Sequence, residues 1–326
     1  MEFSQLPADT AHRFRAVLEM VRLFLNEFGD RPRLLDVGGH PGTFAREFKS
    51  LFPRWDVKTL DRPQDQLPDY VSGSGAEMPF ETGAFDVVVT IDTFEHIAGA
   101  DRLKFVQELC RVSKNVVVLA APFAHPAVAT VERLLNSAHE RFFLKPHPWL
   151  SEHVAFGLPS LEMTVATWPG SHGVVDVEGS YDLGAWTTWQ SLQMLSKLRG
   201  EADNSFAAFD AAHASGPTPL VTEVPYRRLI SARRGAPSRN FPGGFDPLPS
   251  AGTAAVELAR LYCRILEFSA ADLEQMASTS APVMIDQRLK DALRASEQQI
   301  GALEARTALL QRSPEPMRPA WKLFRR

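Results

Sequence analysis

Cysteine is scarce in this 326-residue chain: Cys110 and Cys263 stand far apart and without metal-ligand spacing. That excludes a disulfide framework and a cysteine-built zinc site, and it fits a reducing compartment. No aspartate-rich cluster occurs either, so no metal is expected. No apolar run is long enough to span a bilayer. The opening residues, "MEFSQLPADTAHRF", hold neither the basic stretch nor the apolar core of an export signal, so the expected location is cytoplasmic. Positive charge is not in excess: 35 basic residues face 39 acidic ones, and the net −4 argues against a general nucleic-acid partner. Internal repeats are absent. A hydrophobic share of 44% and a charged share of 23% leave an ordinary globular protein with material for a large core.

What is present is a rhythm. Phe14, Val17, Leu18, Val21, Leu25 and Phe28 step by threes and fours, which predicts a helix before the first strand. In "RLLDVGGHPGTFAREF", from Arg33 to Phe48, a short apolar run ends in Gly38, Gly39, Pro41 and Gly42, and helical spacing resumes at Phe44. This predicts strand, glycine turn and helix, with bare backbone and free helix N–H groups facing any ligand. "WDVKTLD", a short segment at Val71–Ser72, "FDVVVTIDTFEH" and "NVVVLAAPF" supply further strands, and Leu103 to Val112 a helix. Alternating strands and helices predict an α/β, doubly wound, mostly parallel sheet. "GVVDVEG" and "PYRRLISARR" read as later strands.

In such a sheet ligands gather beyond the carboxyl ends of the strands. One edge then collects Asp36 with the glycine turn, Asp61 at the end of the second strand, "GSGAEMPF", and "TIDTFEH". A carboxylate about 20 residues past the turn suits the two hydroxyls of a ribose. A hydride-transferring dinucleotide domain is disfavoured, because "GGHPG" lacks the G-x-G-x-x-G spacing.

On "DVGGHPG", "AEMPF", "FDVVV" and "EH" the chain resembles the class I S-adenosylmethionine-dependent methyltransferases, over about residues 10–125 and more faintly to 235. The resemblance implies a Rossmann-like domain over residues 1–235 whose last strand is antiparallel, with S-adenosylmethionine as cofactor and residues 124–200 as an acceptor-side insertion. It implies that Gly38, Gly39 and Gly42 admit the methionine half of the cofactor and that Asp36 holds its amino group. Asp61 matches the ribose-binding acid, Ala76 and Glu77 would flank the adenine, and Asp92, Thr93 and His96 match the strand end beneath the sulfonium. His40 and Pro41 depart from the usual turn. Gly75 stands where an adenine-binding aspartate is common.

Methyl transfer to a hydroxyl gains from a general base. The candidates are His125, His153 and His96, in that order, although each also fits a structural role. Trp149, Trp168, Trp186 and Trp189 are expected along the acceptor wall or in the core. Beyond a linker at 236–252 and a helical segment at 253–280, a heptad seam from Leu289 to Leu310 reads as a coiled coil over 281–311 or as a surface helix. Residues 312–326 carry five basic side chains against one acid, with Trp321, Leu323 and Phe324 among them, which suits an anionic inner-membrane surface or a solubilising end. This arrangement is similar to the ends of bacterial surface-polysaccharide assembly enzymes. The expected function is methyl transfer to a sugar or glycan hydroxyl in that setting, with a homo-oligomer or a coiled-coil partner. The alternatives are a non-catalytic scaffold of the same fold and a soluble small-molecule methyltransferase.

Overall fold

The computed structural model describes residues 6–62, 67–198, 224–241 and 255–267. The heptad seam of residues 281–311 and the tail of 312–326 lie outside them. Helix α1 (Ala8–Arg22) precedes β1 (Arg33–Val37), α2 (Thr43–Leu51), β2 (Asp56–Asp61), β3 (Tyr70–Ser72) and β4 (Phe85–Ile91). Then come α3 (Arg102–Val112), β5 (Ser113–Pro122), α4 (Pro126–Phe143), α5 (Pro148–Phe156), α6 (Leu161–Ala166), β6 (His172–Asp182), α7 (Leu183–Leu198) and β7 (Pro225–Arg234). A further helix, α8, covers residues 255–267. Among the described residues no helix is long and apolar enough to cross a membrane.

The seven strands form one sheet in the order β3-β2-β1-β4-β5-β7-β6. Only β7 runs against its neighbours, pairing antiparallel with both β5 and β6. This is the Rossmann-like, mostly parallel sheet expected, with its last strand antiparallel. Strand order reverses between β1 and β4, and the crevice of a doubly wound sheet opens there.

The β-branched runs make this sheet because successive side chains feed opposite faces. Val87 and Val89 of β4, with Val116 and Val118 of β5, pack under α1 and α2. Val88, Val117 and Leu119 point the other way, toward Phe105 and Leu109 of α3. A third cluster joins α4, α7 and α8 around Leu135, Trp186, Tyr226 and Ala259.

Three details go beyond the sequence expectations. The first helix stops at Arg22, and a 3-10 turn at Leu25–Glu27 follows. The apolar spacing that continues to Phe28 reflects burial, since its ring packs edge-on against Trp55 at 5.4 Å. Residues 124–200 include the strand expected at "GVVDVEG", which becomes β6 at the sheet edge. The start of the linker at 236–252 is held against β6, where Ser238 Oγ accepts from the Val174 N–H at 3.1 Å and the Arg239 N–H donates to Val174 O at 2.8 Å.

Phe48 is fully buried between Phe44, Phe52 and Trp55. Phe48→Ala removes the ring that joins α2 to the sheet and is expected to cost about 3–5 kcal/mol. A urea titration followed by circular dichroism checks this, and a midpoint unchanged from wild type would contradict the packing described.

Candidate active site

The turn after β1 is built around two glycines with positive φ, Gly38 at 79° and Gly42 at 77°. A Cβ at Gly38 would overlap the Thr93 side chain, and one at Gly39 would overlap the Asp36 carboxylate. Bare backbone is therefore required twice in succession by the polar side chains beneath the turn. Over it opens a cavity of about 920 Å³. Of the residues singled out in the sequence, Asp36, Gly38, Gly39, Asp61, Asp92, Thr93, His96 and His153 line this cavity.

Four others do not. Gly42 begins α2 and faces a neighbouring pocket instead. Ala76 turns its N–H to Ser74 Oγ, and Glu77 is exposed, 3.9 Å from Lys104. His125, the first choice for a base, accepts the Ala127 N–H on Nδ1 at 3.1 Å and caps α4. Gly75 does line the cavity, and a Cβ there would strike the Phe105 ring, so this position has no room for a side chain. Of the four tryptophans, Trp149 and Trp186 reach the cavity, whereas Trp168 is buried in the α3 core and Trp189 does not line it.

Buried charge organises the floor. Burial pushes the Asp36 carboxyl up to about 7, with the Asp61 charge adding to the effect and Arg13 opposing it. Asp36 Oδ2 is buried and has no hydrogen-bond partner. Asp61 is aimed by two backbone groups, the His40 N–H at 3.1 Å and the Arg62 N–H at 2.7 Å, and keeps further lone pairs. Asp92, just past β4, sits at φ 48°, a left-handed conformation that costs energy for this residue type. Arg227 of β7 holds it there, with Nε 2.8 Å from Oδ1 and Nη2 2.7 Å from Oδ2. The same guanidinium reaches Asp9 of α1 at 2.8 Å. Burial alone would raise the Asp92 carboxyl, but the charges of Arg227 and Arg13 overcome it and hold it at about 2.

On the other wall two imidazoles meet. His96 Nε2 and His153 Nε2 are 3.3 Å apart. His96 Nδ1 lies 2.8 Å from Glu152, and His153 Nδ1 lies 2.9 Å from Glu132, which also accepts the Tyr226 hydroxyl at 2.9 Å. Burial, and then the nearness of His153, lowers the His96 pKa despite Glu152. Beside them Glu95 is 1% exposed, and burial followed by the Asp92 charge raises its carboxyl well above the ordinary range. One ligand atom from each of Glu95, His96 and His153 falls within 4.8 Å of the others. The sequence pointed to the two histidines but not to Glu95, Glu132, Asp9, Arg13 or Arg227. The last could have been suspected from "PYRRLISARR", where a charge sits inside a strand pattern.

A doubly wound sheet with a glycine-lined cavity at its switch point defines a nucleotide-cofactor fold. Residues 35–120 match the family described as Methyltransferase domain. The chain carries an S-adenosylmethionine-dependent methyltransferase domain, and its methyl donor is S-adenosylmethionine. Solved structures with a similar outline include the YcgJ protein from Bacillus subtilis, at 14% identity over 70% of this chain and 99% of that one, TM-score 0.42. The [4+2]-cyclase SpnF is similar at 12% identity over 69% of this chain and 82% of its own, TM-score 0.43. The PH0226 protein from Pyrococcus horikoshii OT3 is similar at 14% identity over 68% and 91%, TM-score 0.39.

The residues present fit that cofactor. The partnerless Asp36 oxygen lies under a turn that side chains would fill, and the free lone pairs of Asp61 face the same cavity.

Two outcomes follow from the floor. A carboxyl raised in the fold favours folding while protonated, so the contribution of Asp36 is complete below the ordinary value of 3.8 and is lost as pH rises to about 7. Asp36→Asn removes that slope. It should melt higher than wild type at pH 8 while binding S-adenosylmethionine at least tenfold more weakly, the worth of one charge-assisted hydrogen bond. Thermal melts across pH and calorimetry check both. Arg227→Met leaves Asp9 without its buried partner and Asp92 with Arg13 alone, and is expected to cost roughly 3–5 kcal/mol in chemical denaturation. An effect below about 1 kcal/mol would contradict the pairing described.

Proposed function

We propose that the protein moves the methyl group of S-adenosylmethionine to a hydroxyl of a sugar or glycan, in bacterial cell-surface polysaccharide biosynthesis. In this reading Asp36 takes the amino group of the cofactor, Gly38 and Gly39 give its methionine half access to backbone, and Asp61 takes the ribose hydroxyls. Asp92 and Thr93 lie beneath the reacting methyl. The cofactor supplies an electrophilic methyl group; the chain must supply a place for a poor nucleophile and a group that draws off its proton.

One observation carries the hydroxyl acceptor, namely the His96–His153 pair on the cavity wall. With each Nδ1 against a carboxylate, each neutral ring keeps its lone pair on Nε2, the atom facing the other ring. That lone pair can take a hydroxyl proton or a cation that polarises the hydroxyl. An amine or thiol nucleophile has less need of either. Trp149 supports the sugar: it is 60% exposed on the cavity, with its ring 5.7 Å from that of His96. An exposed aromatic face suits the apolar side of a sugar ring. The polysaccharide setting and the membrane contact draw on the C-terminal sequence pattern alone, which lies outside the described residues.

The test is product analysis. Full-length protein incubated with labelled S-adenosylmethionine and cell-envelope glycans should yield an O-methylated sugar by mass spectrometry. His153→Ala and His96→Ala should each lower that turnover by about 10²-fold or more while cofactor affinity is kept, and His125→Ala should change it little. Label that appears on amines but not on hydroxyls, or wild-type rates in both cavity variants, would overturn this reading.

A further inference from the structure

We propose that Glu95, His96 and His153 bind one divalent transition-metal ion of the zinc type, with an open coordination position that faces the cavity and takes a hydroxyl oxygen of the acceptor.

The two rings carry most of the argument. Glu152 and Glu132 can only accept hydrogen bonds as carboxylates, so both imidazoles donate Nδ1–H to them. Each Nε2 is then left with a lone pair, and the two lone pairs confront each other across 3.3 Å. Two bare acceptors at that distance repel unless a positive charge lies between them or beside them. The spacing itself is informative. Two nitrogens each about 2.05 Å from a tetrahedral Zn²⁺ stand about 3.3 Å apart.

Glu95 supplies the third ligand. Its Oε1 lies 3.9 Å from His96 Nε2, and its Oε2 is buried without a hydrogen-bond partner. Of the cations near it, Arg227 and Arg13 hydrogen-bond Asp92 and Arg102 donates to the Ile97 and Gly157 carbonyls, so none of the three hydrogen-bonds Glu95 Oε2. A carboxylate buried to this degree calls for a charge partner. Two imidazoles and one carboxylate suit zinc, cobalt, nickel or iron better than magnesium or calcium, which prefer oxygen. Three protein ligands also leave a fourth position open.

The support around the ligands follows the same logic. A histidine ligand is usually oriented by a carboxylate on its other nitrogen, and here both are, with Tyr226 in turn holding Glu132. Neither an aspartate cluster nor short Cys/His spacing marks this trio in the sequence, because His153 comes from α5 while Glu95 and His96 follow β4. The identity of the fourth ligand rests on the hydroxyl-acceptor reading above; the ion site does not.

The experiment uses full-length protein stripped with a chelator and titrated with Co²⁺. Binding of about one ion per chain, with the visible absorption of tetrahedral cobalt and displacement by Zn²⁺, is the expected result. His96→Ala and His153→Ala should abolish the spectrum. Glu132→Gln should weaken binding by about 10–100-fold, with circular dichroism and S-adenosylmethionine affinity unchanged. Absence of the cobalt spectrum in wild type, or its persistence in a folded His96→Ala variant, overturns the site. Methylation of simple methyl glycosides separates the two readings. Full activity in the stripped protein overturns the role of the ion toward the acceptor and leaves the proposed function standing. A protein that binds cobalt but methylates no hydroxyl leaves the ion site standing and overturns the proposed function.

Discussion

The buried guanidinium of Arg227 is the constraint on which the site depends. It joins Asp9 on the first helix, Asp92 at the end of β4 and its own strand β7. Such a charge is costly to remove from water, and only well-formed pairs on both sides make it tolerable. The pairing has a structural consequence. It lays α1 over the cavity and holds Asp92 in a left-handed conformation, which sets the direction in which Thr93, Glu95 and His96 leave the strand.

The residue before it extends the same control to the opposite wall. Tyr226 stacks on Trp186 at 3.7 Å between ring centres and gives its hydroxyl to Glu132, which orients His153. Two successive residues at the start of β7 therefore hold both halves of the cavity, one through a salt bridge and one through a hydrogen bond. An antiparallel strand between β5 and β6 makes this possible, since it starts where its antiparallel partner β5 ends.

The floor and the wall differ in their chemistry. The floor collects three carboxylates, Asp36, Asp61 and Asp92, in different surroundings. Asp36 is desolvated and raised, while Asp92 is paired and lowered. The wall collects imidazoles with carboxylates behind them. A positively charged ligand is favoured over the first and a cation or a proton at the second. Between them lies the space in which a methyl group and a hydroxyl would have to meet.

The strand–turn–helix around Gly38, the β-branched runs of β4 and β5, and the acids that end β1 and β2 were legible in the sequence. Each is decided within a few residues, by the clash of a Cβ in a tight turn or by the alternation of side chains across a sheet. The notion of a base was legible only as a choice among three histidines. The structure turned that choice around: His125 spends its ring capping a helix, and His96 and His153 face each other across the cavity. Arg227 with Asp9, Arg227 with Asp92, and Tyr226 with Glu132 are separated by 218, 135 and 94 residues. No periodicity carries such pairings. They exist because burying a charge demands a partner wherever the chain can bring one, and only the packed sheet decides which residue that is.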